Sequence, residues 1–497
     1  MRFVDLKSTM EFLEGVLQDG EFNLHAGRLS RHKLHNTRVS IKFREFYQVI
    51  TEVIPTPGVQ GFNKFNFNKG NLIKFISADR VIFASGNHLN IRSLSPTISI
   101  PVKFLLTGDL RSFSTAPPKY YTRQHYFRAY LPQAKIFSHL DEFENSPFQS
   151  GRFLHRNIII NFHDTEIRFF QHKQGVVIDA LDKITIERFE RIIQIIELVS
   201  GLLKGRRTSS PAYIFSYSSS KMISPKNVRI HNQTGDTANG FQLFTSRPQD
   251  LTYLESKLTV KRDESGKVTS INRSSISKYQ RPFCNLALNS ICKKIDSSPQ
   301  MLQAIWIYNS VLAAPLEVQL PSFFVSLEYL AIALGGKNKV AKVLTGTLLG
   351  EVENELSQIK KNIKSHFRNE ISAAAEDERT ALKRLQERVM NKLGSVLSES
   401  NNQALIEPFN SNGYILSEDE KKFILSNRNI YIHGNRSLQI IDDRTRLKYT
   451  KDCFIIQKLV GILFLKSAGF CGYILNNLKM YDYMFESKVK EKLFEKI

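Results

Sequence analysis

The sequence predicts an α+β protein, in which a β-rich N-terminal region is followed by an all-α C-terminal helical bundle. Up to about residue 270 the chain reads as short strands separated by turn residues. After about residue 280 it becomes almost continuous helix, with apolar residues recurring at three- and four-residue spacing. Charged and Ser-rich residues between 257 and 278 mark the predicted boundary between a domain at 1–270, with room for two subdomains, and a domain at 280–497.

The β-rich region contains three informative segments and one helix. Residues 38–47 (RVSIKFREFY) alternate apolar and polar residues, and residues 157–170 (NIIINFHDTEIRFF) predict two strands joined by a His-Asp-Thr turn. The phenylalanines of residues 61–75 (GFNKFNFNKGNLIKF) fit either the core of a sheet or a surface that stacks bases. Residues 186–203 have helical periodicity with Thr185 as N-cap, and residues 218–245 are predicted to be mostly loop.

The composition is that of an ordinary folded protein with a strong positive charge. Hydrophobic residues make up 42% of the chain and aromatic residues 11%, which is not the composition of a disordered chain. The formal charge of +22 is spread over both halves, and such a field attracts polyanions, of which nucleic acid is the commonest. The charged segment 340–397 is predicted to form two helices broken near 372–376. Its charged residues fit either a face exposed to solvent or an RNA-binding surface.

The cysteines and the apolar segments indicate the cellular compartment in which the protein is found. The sequence contains no C-x-x-C pair among its cysteines, which are Cys284, Cys292, Cys453 and Cys471. This pattern is typical of buried thiols in a reducing compartment, and a mixed Cys/His metal site is the alternative. The N-terminus lacks the apolar core of a signal peptide, and no uncharged run reaches membrane-spanning length. We therefore expect a cytoplasmic protein with no membrane contact.

The stretch SNRNIYIHGNRS, which begins at Ser426, ends a well-delimited helix predicted over residues 418–433. Ser417 and Glu420 match the S-x-x-E capping box, and Gly434 can take the left-handed conformation that ends a helix. Helical spacing places several of its residues on one stripe, where polar groups among apolar ones indicate a cleft or a packed neighbour; they are Leu425, Arg428, Asn429, Ile432 and His433.

Arg428 and His433 are suited to cleaving RNA. Five residues of helix rise only about 7.5 Å, so both side chains can reach one site. A guanidinium binds a phosphodiester in a bidentate manner, and an imidazole exchanges protons with a 2′-hydroxyl or a leaving 5′-oxygen near neutral pH. Asn429 can orient either group. The plainer alternative is that His433 caps a helix carbonyl and Arg428 forms a surface ion pair.

Residues 427–434 (NRNIYIHG) resemble the R-N-x-x-x-H-G signature of the HEPN superfamily of helical ribonuclease domains, and are similar in particular to the ApeA-like anti-phage abortive-infection branch. SFFVSLEYLAIAL, which contains Glu328, resembles the early helix of that branch, and LVGILFLKSAGF resembles its apolar helix after the motif. The resemblance covers roughly residues 295–480. Asn435 stands where some HEPN toxins carry a modified tyrosine, which argues against that toxin branch.

The resemblance implies a homodimer or higher even oligomer, in which Arg428 and His433 of two protomers form one cleft. It implies metal-independent, cofactor-free endoribonuclease activity that leaves a cyclic phosphate and a 5′-hydroxyl. Glu328 is a candidate neighbour of the catalytic pair, with a simple interhelical ion pair as its alternative. By analogy with related defence proteins, the N-terminal region would sense a phage-derived trigger. The alternative function is a non-catalytic HEPN-like protein that binds nucleic acid or nucleotide and regulates a partner.

Overall fold

The computed structural model divides the chain into two compact units, one of Met1–Pro315 with Phe470–Ile497 and one of Leu316–Gly469. The residues that it describes are 6–26, 35–42, 48–53, 72–85, 89–96, 104–110, 112–132, 158–172, 175–205, 211–232, 260–262, 264, 268–271, 284–312, 314–335, 347–394, 401–432, 442–479 and 492–497. An antiparallel sheet occupies the N-terminal half and helices the C-terminal region, so the predicted α+β class is confirmed.

The first unit is built on one antiparallel sheet, which has fourteen strands within the described residues. The strands are β1 Gly20–Ala26, β2 His35–Lys42, β3 Gln48–Val53, β4 Leu72–Ile76, β5 Val81–Ser85, β6 Leu89–Pro96, β7 Phe104–Leu110, β8 Ser112–Ser114, β9 Tyr126–Leu131, β10 Ile158–Asn161, β11 Glu166–His172, β12 Gly175–Ala180, β13 Pro211–Tyr217 and β14 Asn227–Asn232. Their order across the sheet is β10-β11-β12-β9-β13-β14-β8-β5-β4-β1-β2-β3-β7-β6. Two short pairs stand apart from it: β15 Val260–Arg262 with β16 Val268–Ile271, and β17 Tyr473–Leu475 with β18 Phe494–Lys496.

The hairpin predicted at residues 157–170 is confirmed as β10 and β11. Ile158 lies opposite Phe169, and the turn closes where the Phe162 N–H donates to the Thr165 carbonyl at 2.9 Å. The loop predicted at 218–245 is wrong in part, because β14 forms there and buries Val228 and Ile230 against the sheet. Apolar residues at alternate positions had signalled that strand, but the surrounding polar residues obscured it.

Two further segments are described only in part. The structure describes residues 38–42 of the segment 38–47 as β2, and residues 43–47 lie outside the described residues. At the end of the phenylalanine-rich segment, Phe75 on β4 is fully buried in the core, whereas residues 61–71 lie outside the described part of the chain. For Phe75 the core interpretation is therefore confirmed.

The helices that pack on this sheet include α1, Lys7–Val16, and α2, Ile186–Lys204. Leu13 and Val16 of α1 belong to the same apolar core as the sheet residues around them. The predicted cap of α2 is confirmed, since the Thr185 hydroxyl accepts from the Arg188 N–H at 3.3 Å. On the buried side of α2, Phe189 stacks on Phe127 of β9 with ring centroids 5.5 Å apart.

A buried ion-pair network joins neighbouring strands of the first unit. Arg128 of β9, only 2% exposed, donates from Nε and Nη2 to the Asp179 carboxylate at 2.7 and 3.1 Å. Arg168 of β11 donates to the same carboxylate at 2.8 Å, and the Arg128 guanidinium lies over the Tyr217 ring. Asp179 lies on β12, between β9 and β11, so its carboxylate accepts hydrogen bonds from an arginine on each neighbouring strand.

The compact units divide after Pro315, and not near residue 280 where the sequence becomes helical. The helices Asn285–Ser297 (α3) and Pro299–Ser310 (α4) belong to the first unit. α3 packs against β10 and α2, and α4 packs against α2. Asp296 pairs with Arg188 of α2 at 2.6 Å, and the Asn309 amide donates to the Leu198 carbonyl of α2 at 2.9 Å. Secondary structure and compact units therefore change at different places.

The second unit is helical throughout its described residues. Its helices are α5 Leu316–Gly335, α6 Thr347–Ala373, α7 Glu376–Gly394, α8 Asn401–Ser411, α9 Glu418–Ile432 and α10 Asp443–Ser467. The break predicted near 372–376 is confirmed between α6 and α7. α5 packs against α8, α9 and α10, and α10 is buried nearly all round over its second half, as expected of a central core helix.

Among the described residues, α5 is the one helix long and apolar enough to cross a membrane. Its buried apolar residues recur at helical spacing, and α5 packs against the other helices of the unit; these residues are Leu320, Phe323, Phe324, Leu327, Leu330 and Ala331. Core helices of soluble proteins pass the same test of length and hydropathy, so α5 is weak evidence for a membrane span.

Candidate functional site

The helix that carries the motif, α9, begins at the predicted capping box. The Ser417 N–H donates to Glu420 Oε2 at 3.0 Å, and the Glu420 N–H donates to Ser417 Oγ at 3.2 Å. Glu420 also accepts from the Tyr414 hydroxyl at 3.1 Å and lies 3.3 Å from Nζ of Lys458 on α10. The start of α9 is therefore fastened both to its own loop and to the central helix.

The buried face of α9 is rotated from the stripe that the sequence predicts. Ile424 and Tyr431, seven residues apart, are its buried residues, whereas Asn429 is exposed. Asn429 precedes Tyr431 by two residues, which is about 200° around an α-helix. Arg428 borders the buried face and keeps 18% of its side chain exposed. Arg428 and Asn429 therefore point in different directions, although they are adjacent in sequence.

Arg428 is paired with Glu328 of α5. Its Nε donates to Glu328 Oε1 at 2.6 Å, and its Nη2 lies 2.5 Å from the same oxygen. The side chains are 18% and 28% exposed, so water reaches the pair only partly. A guanidinium has further N–H groups beyond those two, which are available to a second anion such as a phosphate.

One turn further along α9, Tyr431 ties the helix to α10 and α5. Its hydroxyl donates to Asp452 Oδ2 of α10 at 2.5 Å, and its ring packs against Phe324 and Tyr449. Burial raises the pKa of Asp452 above its ordinary value of 3.8, although the Tyr431 hydrogen bond and the charge of Lys448 oppose that rise. The backbone beside Arg428 is therefore held between two core helices.

The described part of α9 ends at Ile432, and both His433 and Gly434 lie outside the described residues. Of the predicted site residues, the structure brings Arg428 and Glu328 together and leaves Asn429 on the exposed side. The placement of His433 relative to Arg428 stays a prediction from helical spacing.

Two of the cysteines differ from the expectation of buried thiols. Cys292 and Cys453 are buried, whereas Cys284 and Cys471 are exposed. Burial raises the pKa of Cys453 to about 12, and its thiol lies 3.1 Å from the Gln319 amide oxygen. Across the described residues, no group of three or more His, Cys, Asp and Glu side chains is arranged to hold a metal ion.

The contacts of Tyr431 with Asp452 and of Glu420 with Lys458 were not predicted. Tyr431 lies inside the motif, and its helical spacing from Ile424 was a signal that it belongs to the buried face. Nothing in the spacing of Asp452 or Lys458 indicates their partners, because which helices become neighbours depends on tertiary packing.

Comparison with known proteins adds no relative. No protein-family model matches the chain, and no curated protein and no solved structure matches it significantly.

Proposed function

We propose that the chain is a metal-independent endoribonuclease of HEPN type, which acts in bacterial anti-phage defence and uses Arg428 and His433 at a cleft between two protomers. The observation that carries the proposal is the pairing of Arg428 with Glu328. An arginine at the edge of a helix face, held by a carboxylate on the neighbouring helix and still partly exposed, is oriented before any substrate arrives.

The chemistry needs only these side chains and the substrate. The imidazole of His433, or that of the second protomer, accepts the proton of the 2′-hydroxyl, and the 2′-oxygen forms a bond to phosphorus. The bond between phosphorus and the 5′-oxygen breaks, and that oxygen takes a proton from the protonated His433 imidazole of the other protomer, which yields a 2′,3′-cyclic phosphate and a 5′-hydroxyl end. Arg428 neutralises the charge that gathers on the phosphoryl oxygens. The nucleophile comes from the RNA itself, so no metal-activated water is required.

Glu328 is a positioning residue in this proposal. It fixes the rotamer of a side chain that otherwise has several free torsions, and it leaves the N–H groups of Nη1 for a phosphate. It also offsets the positive charge of Arg428 and so weakens phosphate binding in the resting state. Both effects suit an enzyme that is kept latent until the sheet unit detects a trigger. We place this enzyme in the cytoplasm, where its RNA substrates are found.

One observation favours a second function. Because Glu328 already occupies two N–H groups of Arg428, the same geometry also suits a domain that binds RNA or nucleotide without cutting it. Such a regulator would bind RNA with affinity that falls as salt rises, but would leave the strands intact.

The deciding experiment incubates the purified full-length protein with total bacterial RNA, with and without EDTA, and maps the new ends. We expect cleavage that resists EDTA and leaves cyclic phosphates. Arg428→Ala and His433→Ala should each abolish it, and Lys422→Ala, an exposed change on the same helix, should not. To supply a trigger, the same variants are expressed in bacteria challenged with phage, where growth arrest is scored. Cleavage or arrest that persists in both site variants contradicts the proposal.

A further inference from the structure

The helical hairpin of α6 and α7 is a long element without a core of its own. The 27 residues of α6 span about 40 Å. Between Gly350 and Leu393, every side chain that the structure describes is at least partly exposed. Elsewhere in the same unit, α5 and α10 bury most of one face or more. Helices of this kind draw most of their stability from packing an apolar face, so the hairpin calls for a further surface.

The hairpin nevertheless carries an apolar stripe. Along α6, half-buried apolar residues recur at helical spacing; they are Val352, Leu356, Ile363 and Phe367. Ile359, near the middle of α6, is 43% exposed, and Leu385 of α7 is 48% exposed. α7 is the neighbour of α6, yet the apolar stripe stays partly open to solvent.

Charge along α6 is divided sharply at its middle. The first half carries three acidic residues and no basic one, namely Glu351, Glu353 and Glu355. The second half, up to residue 368, carries basic residues and no acidic one, namely Lys360, Lys361, Lys364 and Arg368. A nucleic acid would be attracted to one half and repelled by the other.

The two halves mirror each other about the point between Ile359 and Lys360. At equal distances from that point, acidic positions match basic or imidazole positions: Glu351 with Arg368, Glu353 with His366, and Glu355 with Lys364. Apolar positions match apolar ones in the same way: Val352 with Phe367, and Leu356 with Ile363. A two-fold interface requires a surface that complements itself when reversed, and α6 has this property.

We propose that α6 is a self-association surface, on which the α6 helix of a second copy of this chain packs antiparallel, with the two-fold axis passing between Ile359 and Lys360. The two hairpins then form a four-helix arrangement that covers Ile359 and the open flank of the stripe. A parallel pairing would set acidic residues against acidic ones, which is unfavourable. This inference does not depend on the proposed ribonuclease activity, since it rests on α6 alone.

Disulfide trapping in the full-length chain tests both the surface and its direction. The background carries Cys284→Ser and Cys471→Ser, which remove the exposed thiols. Near the two-fold axis a residue meets its own counterpart, so Ile359→Cys should give a covalent dimer on mild oxidation. Glu351→Cys is the matched control, because its counterpart lies about 25 Å along the antiparallel pair and should not cross-link. The double change Glu351→Cys with Arg368→Cys should cross-link again.

Charge reversal then tests the complementarity. Within the Ile359→Cys chain, changing Lys360, Lys361, Lys364 and Arg368 to Glu leaves only acidic charges between residues 351 and 368. Changing Glu351, Glu353 and Glu355 to Lys leaves only basic charges in the same segment. Each chain alone should lose most of its covalent dimer, and an equal mixture should recover it. Far-UV circular dichroism checks that both remain folded. No cross-link through Ile359→Cys, an equal cross-link through Glu351→Cys, or no recovery on mixing would each overturn the proposal.

Discussion

Arg428 of α9 and Glu328 of α5 lie one hundred positions apart in sequence, yet they form a charge-assisted hydrogen bond of 2.6 Å at the edge of the helical unit. Both residues belong to the segments that resemble the HEPN motif and its early helix. The contact is interhelical, as the plainer interpretation of Glu328 also requires. Under the proposed function, a positioning ion pair would be distinguished from a structural one by its effect on RNA binding and cleavage.

The first prediction concerns the charge of Glu328. Glu328→Gln keeps the size of the side chain but removes the negative charge beside Arg428. We expect RNA to bind more tightly, because a repulsive charge near the phosphate is gone, and to be cleaved about tenfold more slowly, because the guanidinium is held less firmly. Single-turnover kinetics with a defined RNA separates the two effects.

Glu317→Gln on the same helix is the matched control for that experiment. A purely structural ion pair would lower the thermal stability of the variant without moving binding and cleavage in opposite directions, and that result would remove Glu328 from the site.

The second prediction concerns the Tyr431–Asp452 hydrogen bond. Tyr431→Phe deletes one hydroxyl and leaves a buried carboxylate without that donor, so the free energy of unfolding should fall by about 1–3 kcal/mol. Urea denaturation of the full chain measures it. Tyr329→Phe removes a hydroxyl from a residue that is 37% exposed on α5, and should change the free energy by less than about 0.5 kcal/mol. Equal effects in the two variants would contradict the assignment.

The third prediction follows from the raised pKa of Asp452. The folded protein holds the proton of this carboxyl at pH values where the unfolded chain has lost it. Its contribution to stability is therefore complete below pH 3.8 and is lost as the pH rises through the folded-state pKa. Asp452→Asn should remove this decline. From acid to neutral pH, the free energy of unfolding of the unmodified protein should fall relative to that of Asp452→Asn; a difference that stays constant with pH would refute the shift.

The fourth prediction concerns the buried network of the sheet unit. Arg128→Met leaves the fully buried Asp179 with Arg168 as its charged neighbour in that network, so we expect a loss of about 3–5 kcal/mol in the free energy of unfolding. Arg123→Met changes an exposed arginine just before the same strand and should have little effect. Chemical denaturation followed by circular dichroism measures both variants. A loss below about 1 kcal/mol for Arg128→Met would show that the charge is compensated.

Local signals in the sequence predicted the helix ends well. Thr185 and Ser417 each make the cap that their residue types predict, and the break between α6 and α7 falls at the predicted place. These features depend on backbone groups within a few residues, which a short stretch of sequence specifies. The strand β14 was missed because its polar surroundings resemble a loop, and its pairing with β13 and β8 depends on the tertiary fold.

By itself, then, the sequence determined the α+β class, the caps and breaks of the helices, the charge division along α6 and the candidate pair Arg428 and His433. The tertiary structure alone decided that Glu328 meets Arg428, that Tyr431 binds Asp452, that Asn429 faces outwards, and that α3 and α4 join the sheet unit. The physical reason is distance along the chain: periodicity and capping act over one or two turns, whereas the partner of a side chain depends on how whole helices pack.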